Sequence, residues 1–308
     1  MNGSLPSPQR SIWNNIFLSP GEPRLRAGWR LLIQTIVMLG ILLALGLPFG
    51  ILVLVFDWST NGALYLGGNT VISLVAFTIS IYLARHFLNK RSFTSLGLKR
   101  DRRVMVDLLA GILITFIMMG LIFAAMAWFG WLRFDNFAWR VDPLIVVLGQ
   151  LLVFFIAFVL VGWQEELLSR GYHLQTLASG MNLFWGVVLS SVIFGVLHLV
   201  NPNATWVSAA GIFFAGLFLA LGYLRTGQLW LSIGLHIGWN FFEGVVFGFP
   251  VSGIRTYPLM RIHVTGPEIW TGGAFGPEAG LIILPAMVVG ATLIFLYTKL
   301  RGPVSPKI

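Results

Sequence analysis

The chain has no cysteine, which excludes a disulfide framework, a thiolate metal site and a cysteine nucleophile. It is also poor in charge: 10% of its 308 residues are Asp, Glu, Lys or Arg, against about 25% in soluble domains. Three common signatures are missing as well. No H-E-x-x-H helix, G-x-S-x-G turn or Walker lysine loop occurs, so the familiar soluble hydrolases and nucleotide triphosphatases do not compete. No internal repeat is visible, which argues against an inverted-repeat transporter. A cleaved signal peptide is not expected, because the first apolar run starts near Leu31 and is too long for a signal-peptide core.

Apolar sequence fills the space left by these absences. Hydrophobic residues make up 57% of the chain and the mean hydropathy is +0.85. Apolar runs at about 31–56, 63–84, 104–131, 144–163, 183–200, 206–224, 229–247 and 281–297 each approach the ~20 residues that cross a bilayer core. The expected fold class is therefore all-α: a polytopic membrane protein, a bundle of about eight transmembrane helices, with a kink at Pro48. Residues 1–30 read as a cytoplasmic N-terminal arm, 31–300 as one transmembrane domain and 301–308 as a cytoplasmic tail. Residues 57–62 read as a short turn, 133–143 as an aromatic-rich outer loop, and 250–278 as an ordered cap or flexible outer loop holding two glutamates.

The net charge of +9 could suggest nucleic acid, but the excess lies in loops between apolar runs, not on a soluble face interleaved with aromatics. Sixteen of the twenty Lys and Arg fall in segments on one side of this layout and four on the other. That bias predicts both termini in the cytoplasm, in the plasma membrane of a prokaryote, with the lipid bilayer and not nucleic acid as the partner. Asp107, at the inner end of the third run, reads as a solvated end residue or the partner of a nearby arginine. Gly211 with Ala215, and Gly234 with Gly238, are small pairs four apart that predict close helix contacts.

Chemistry concentrates where the fourth run ends. Glu165 and Glu166 are adjacent, so on a helix they point about 100° apart. Arg170 follows Glu166 by four residues and shares its face, which predicts a Glu166–Arg170 pair and leaves Glu165 free. Two later runs each bring a histidine into apolar surroundings. Phe194 and His198 are four apart, and His236, Asn240 and Glu243 lie along one helical stripe. Buried polar groups need partners, and these would find one another. Imidazole nitrogen and carboxylate oxygen suit zinc or another divalent metal, held by Glu165, His198 and His236, with a position left for water. Without metal, Glu165 could activate a water held by the histidines while Asn240 stabilises an oxyanion. Both routes lead to hydrolysis.

The ordered set Glu165-Glu166 with Arg170, Phe194 with His198, and His236 with Asn240 resembles the motifs of the CAAX prenyl protease and bacteriocin-processing (CPBP, or Abi) family. Ser95-Leu96-Gly97-Leu98, before the third run, resembles a further feature of that family, and the likeness covers roughly residues 91–248. It implies an eight-helix intramembrane endopeptidase with its catalytic core at about 144–248. It implies Glu165 as the catalytic glutamate, Glu166 and Arg170 as its support, and His198, His236 and Asn240 as the rest of the site. The implied substrate is a membrane-embedded or lipidated peptide. The alternative is a non-catalytic scaffold, immunity or permease-like protein of the same fold.

Depth opposes this grouping, since Glu165 would lie at the inner end of one run and His198 at the outer end of the next. Upright helices would separate them by about 10 to 15 Å. Either the fourth span continues to about Ala178, or the fifth begins deeper and Asn201-Pro202-Asn203 folds within the protein. Both together are expected, around a polar cavity open to the cytoplasm.

Overall fold

The computed structural model describes residues 12–20, 22, 24–58 and 63–302. The outer parts of the expected arm and tail, residues 1–11 and 303–308, and the turn at 59–62 lie outside the described residues. Chain order is α1 (Ile12–Phe17), α2 (Ala27–Val55), α3 (Ala63–Leu83), α4 (Val104–Trp128), β1 (Leu132–Phe137), α5 (Leu144–Glu166), α6 (Leu174–Gly180), α7 (Leu183–Leu197) and α8 (Trp206–Thr226). There follow α9 (Trp230–Asn240), β2 (Met260–Val264), α10 (Glu268–Thr271) and α11 (Ile283–Arg301).

Seven helical stretches among the described residues are long and apolar enough to cross a membrane: 27–55, 67–88, 104–128, 144–180, 183–200, 206–226 and 283–301. The protein is a polytopic helical membrane protein. The remaining expected span, the seventh at 229–247, is α9, continued by a wider π-helical turn over Phe241–Val246. It is a short helix at the centre of the bundle. Every residue from Leu231 to Asn240 is buried, and a helix covered on all sides needs small residues where neighbours press closest. A Cβ on Gly234 would sit 2.8 Å from Leu108 Cα, and one on Gly238 2.8 Å from Ile112 Cα, so this pair marks the α4–α9 seam as expected. Gly211 does something different. Its open face admits the backbone of Glu278 and Ala279, which belong to a single 3-10 turn over Pro277–Ala279 and not to a membrane-spanning helix.

The fourth span does continue. From Leu144 to Gly180 the chain is one helical run, with α5 and α6 joined by a π turn over Leu167–His173. The fifth begins at Leu183, as placed from sequence, with Asn182 accepting a hydrogen bond from Trp185 N as its N-cap. The turn between these helices lies sixteen residues after Glu165 and sixteen before His198. Both side chains therefore stand roughly 24 Å from that turn, and the depth conflict disappears.

The ends of the bundle differ. At one end, Ser95-Leu96-Gly97-Leu98 forms a clasp: Leu96 O accepts from Gln175 Nε2 at 2.8 Å, and Gly97 O accepts from Leu229 N at 2.8 Å. Asp107 lies there too, but it is not solvated. It is fully buried, accepting from Tyr297 Oη at 2.6 Å and Arg301 Nη2 at 2.7 Å, which pins α11 to α4. At the other end β1 and β2 pair antiparallel, Leu132 with Val264 through Phe137 with Met260, with a bulge at Asp135. This ribbon departs from a purely helical expectation and orders parts of both predicted outer loops. Outside the core, α2 is buried only at Ala27, Arg30, Gln34 and Val53, so it leans on the bundle mainly through its first turns.

Candidate active site

Glu166 is the buried hub. Its Oε1 accepts from Arg170 Nη1 at 2.7 Å, one helical turn along the same face, as the spacing predicted. The same oxygen accepts from His236 Nδ1–H at 2.7 Å, which ties α5 to α9. Arg170 also donates Nη2–H to Gly216 O on α8 at 3.0 Å, and its guanidinium lies 4.4 Å from the centre of the Phe194 ring. That ring stands 4.7 Å from the His198 ring and 6.1 Å from the His236 ring, both edge to face. Phe194 is thus a wedge between the two imidazoles.

These anchors fix both histidine tautomers. His198 Nδ1–H donates to Phe194 O at 2.8 Å, and His236 Nδ1–H is committed to Glu166, so each ring turns its Nε2 lone pair inward. The two Nε2 atoms meet Glu165 Oε2 at 3.8 Å and 3.7 Å. That oxygen is buried and accepts no hydrogen bond. Glu165, His198 and His236 line a cavity of about 370 Å³ together with Asn240, Ser169 and Phe158. The structure brings all six predicted residues together, with Glu166 and Arg170 behind the cavity wall and the other four on it.

Separations of 3.7–3.8 Å are too long for direct hydrogen bonds and leave room for a shared third party. Zinc bonds of about 2.0–2.1 Å would place tetrahedral ligand atoms roughly 3.3 Å apart, a few tenths of an ångström closer than here. Among the described residues no three His, Cys, Asp or Glu side chains stand close enough to enclose an ion unaided. The donor set nonetheless suits one: two Nε2 atoms and a carboxylate oxygen converge, and each imidazole gives its other N–H to a fixed acceptor, the usual support of a metal-bound histidine.

The cavity was expected to open toward the cytoplasm, the arginine-rich end. Its loop lining comes instead from the ribbon end: Asn201, Val251, Ser252, Ile254, Thr256 and Glu278. The long α5–α6 run explains this, because it carries Glu165 well away from the basic loops. Asn201 folds in, donating to Ser252 O at 3.1 Å, while Pro202 and Asn203 stay exposed. Glu278 is the group that sequence reading missed. Buried near the cavity, it accepts from Trp239 Nε1 at 3.0 Å and from Ser252 N and Oγ at 2.6 Å each. Burial pushes its carboxyl above the usual range, against the pull of Ser252 and of nearby His198. Nothing periodic distinguishes it in a segment rich in glycine and proline. Glu243, on the His236 stripe, is fully buried behind it.

Residues 147–242 match the family model described as Type II CAAX prenyl endopeptidase Rce1-like, and that segment contains Glu165, Glu166, Arg170, His198, His236 and Asn240. This core is similar to the Rce1-like family. A relative in Bacillus subtilis (strain 168), named "Putative membrane peptidase YdiL", is 29% identical over 111 residues. Those residues are 36% of this chain and 41% of that protein, so the alignment spans less than half of the relative's length. The Rce1-like match and the six-residue cluster fall on the same helices, α5 to α9.

Proposed function

We propose that this protein is an intramembrane endopeptidase that hydrolyses a peptide bond in a membrane-embedded or lipidated peptide. The observation that carries this reading is the convergence of Glu165 Oε2 and the two histidine Nε2 atoms at 3.7–3.8 Å on one cavity wall. A water seated among the three gives its proton to Glu165 as its oxygen attacks the scissile carbonyl carbon. Asn240 offers its carboxamide N–H to the oxyanion. Collapse of the tetrahedral species breaks the C–N bond, and the proton held by Glu165 passes to the leaving amine, so one water is added across the bond. Glu166 and Arg170 act through His236, holding its Nδ1–H and hence its orientation. A divalent metal held by Glu165, His198 and His236 would supply a water of lowered pKa in the same place.

The reading is supported by similarity of residues 147–242 to a prenyl endopeptidase family and by the apolar surroundings, which suit a peptide delivered from the bilayer. The test is cleavage of candidate lipidated and unmodified hydrophobic peptides by the purified wild type and by Glu165→Gln. The variant should lose about 10²- to 10⁴-fold in kcat/KM while keeping its thermal midpoint. Cleavage undiminished in Glu165→Gln would remove that residue from the reaction.

A further inference from the structure

A second cluster of charge lies at the arginine-rich end, far from the cavity. Arg24 and Arg91 each lie within electrostatic reach of both Arg30 and Arg85. Glu22 pairs with Arg24 and is itself 48% exposed. Four guanidinium groups against one carboxylate leave three positive charges without balance. Arg85 is buried but satisfied by neutral oxygens, giving hydrogen bonds to Ser95 Oγ at 2.8 and 3.1 Å and to Gln175 Oε1 at 3.2 Å.

Arg30 is not satisfied in this way. It is 1% exposed, and only its Nη2 has a partner, Ser179 Oγ at 3.0 Å. Its Nε and Nη1 are buried and have no hydrogen-bond partner. The two lie on different edges of the guanidinium, since Nε–H points toward the Nη2 side, so each edge has an N–H left to give to an oxygen of a phosphate or carboxylate. Arg30 also sits in the first turn of α2, whose N-terminus adds a partial positive charge at the same place. A buried, unbalanced cationic cluster is costly to hold, and an anion completes it. Several cations around one guanidinium with two open edges favour an anion whose charge is spread over more than one face, which a tetrahedral phosphate provides.

We propose that Arg30, with Arg24 and Arg91, forms a binding site for a phosphate group, carried by the headgroup of an anionic phospholipid or by free phosphate. The site is independent of the peptidase reading. It is tested on the full chain purified in a neutral detergent, by thermal midpoint and native mass spectrometry. The added probes are short-chain phosphatidylglycerol, short-chain phosphatidylcholine and inorganic phosphate. Phosphatidylglycerol should raise the wild-type midpoint by about 5 °C at saturation and remain bound one to one. Equal stabilisation by inorganic phosphate would identify free phosphate as the source, and its absence would identify the lipid.

Arg30→Gln should bind about tenfold more weakly or worse. Without any probe, its midpoint should equal or exceed that of the wild type, because an unbalanced buried charge has gone. If Arg30→Gln does not fold, Arg91→Gln, at a less buried position, carries the binding comparison and should also weaken it. Stabilisation by phosphatidylglycerol and phosphate no greater than by phosphatidylcholine, or variants that bind as the wild type does, would overturn the proposal.

Discussion

Arg170 and Arg30 are equally hidden, at 2% and 1% exposure, yet their surroundings are opposite. Around Arg170 the charges close on themselves: Glu166 accepts from it, Gly216 O takes a second N–H, Phe194 faces the guanidinium, and His236 completes the hub. Around Arg30 they do not, since like charges gather and two of its N–H-bearing nitrogens have no partner. The first arrangement balances its charge within the protein and so can hold neighbouring groups still. The second leaves its charge unbalanced. The contrast separates burial that serves rigidity from burial that awaits a ligand.

The largest effect should come from breaking the finished cluster. Arg170→Met leaves Glu166 buried without its counter-charge and should destabilise the fold by about 3–5 kcal/mol, read as a lower denaturation midpoint. Arg30→Gln in probe-free detergent should show no comparable loss, and a similar loss at both sites would erase the distinction. The Asp107–Arg301 pair sharpens it, because here one carboxylate balances one guanidinium at the same end as the unbalanced cluster. Asp107→Asn removes one charge of a buried pair that Tyr297 also supports, and should cost about 1.5–3 kcal/mol.

A still smaller effect should come from packing alone. Gly234→Ala forces a methyl into the α4–α9 seam against Leu108 and should cost about 1–3 kcal/mol. Gly40→Ala on the exposed face of α2 meets nothing within 4 Å and should change stability by less than about 1 kcal/mol. Thermal midpoints of the two variants, measured side by side, check that the buried centre and the outlying helix respond differently.

Some features were legible because they depend only on local geometry or composition. Apolar runs of bilayer length gave the spans, and a four-residue spacing gave the Glu166–Arg170 pair and the freedom of Glu165. The same spacing placed Phe194 beneath His198 and made His236 and Asn240 neighbours. The inner end of the fourth span was misplaced because Gln164, Glu165, Glu166 and Arg170 look like an interface when read in line. Only the packing of α7, α8 and α9 around this stretch shows that Gln164, Glu166 and Arg170 are buried by neighbouring helices.

The sequence by itself determined that this is a helical membrane protein and which polar side chains are too costly to bury without purpose. Those facts follow from the length of apolar runs and the price of charge in a low-dielectric medium. The tertiary structure decided where these side chains meet. It set Glu165 and His198 at one height by placing a turn midway between them, and it brought Glu278 to the cavity from a segment with no periodic signal. It also left Arg30 with two nitrogens facing no partner. Contacts between residues distant in sequence depend on how helices pack, and no local spacing encodes them.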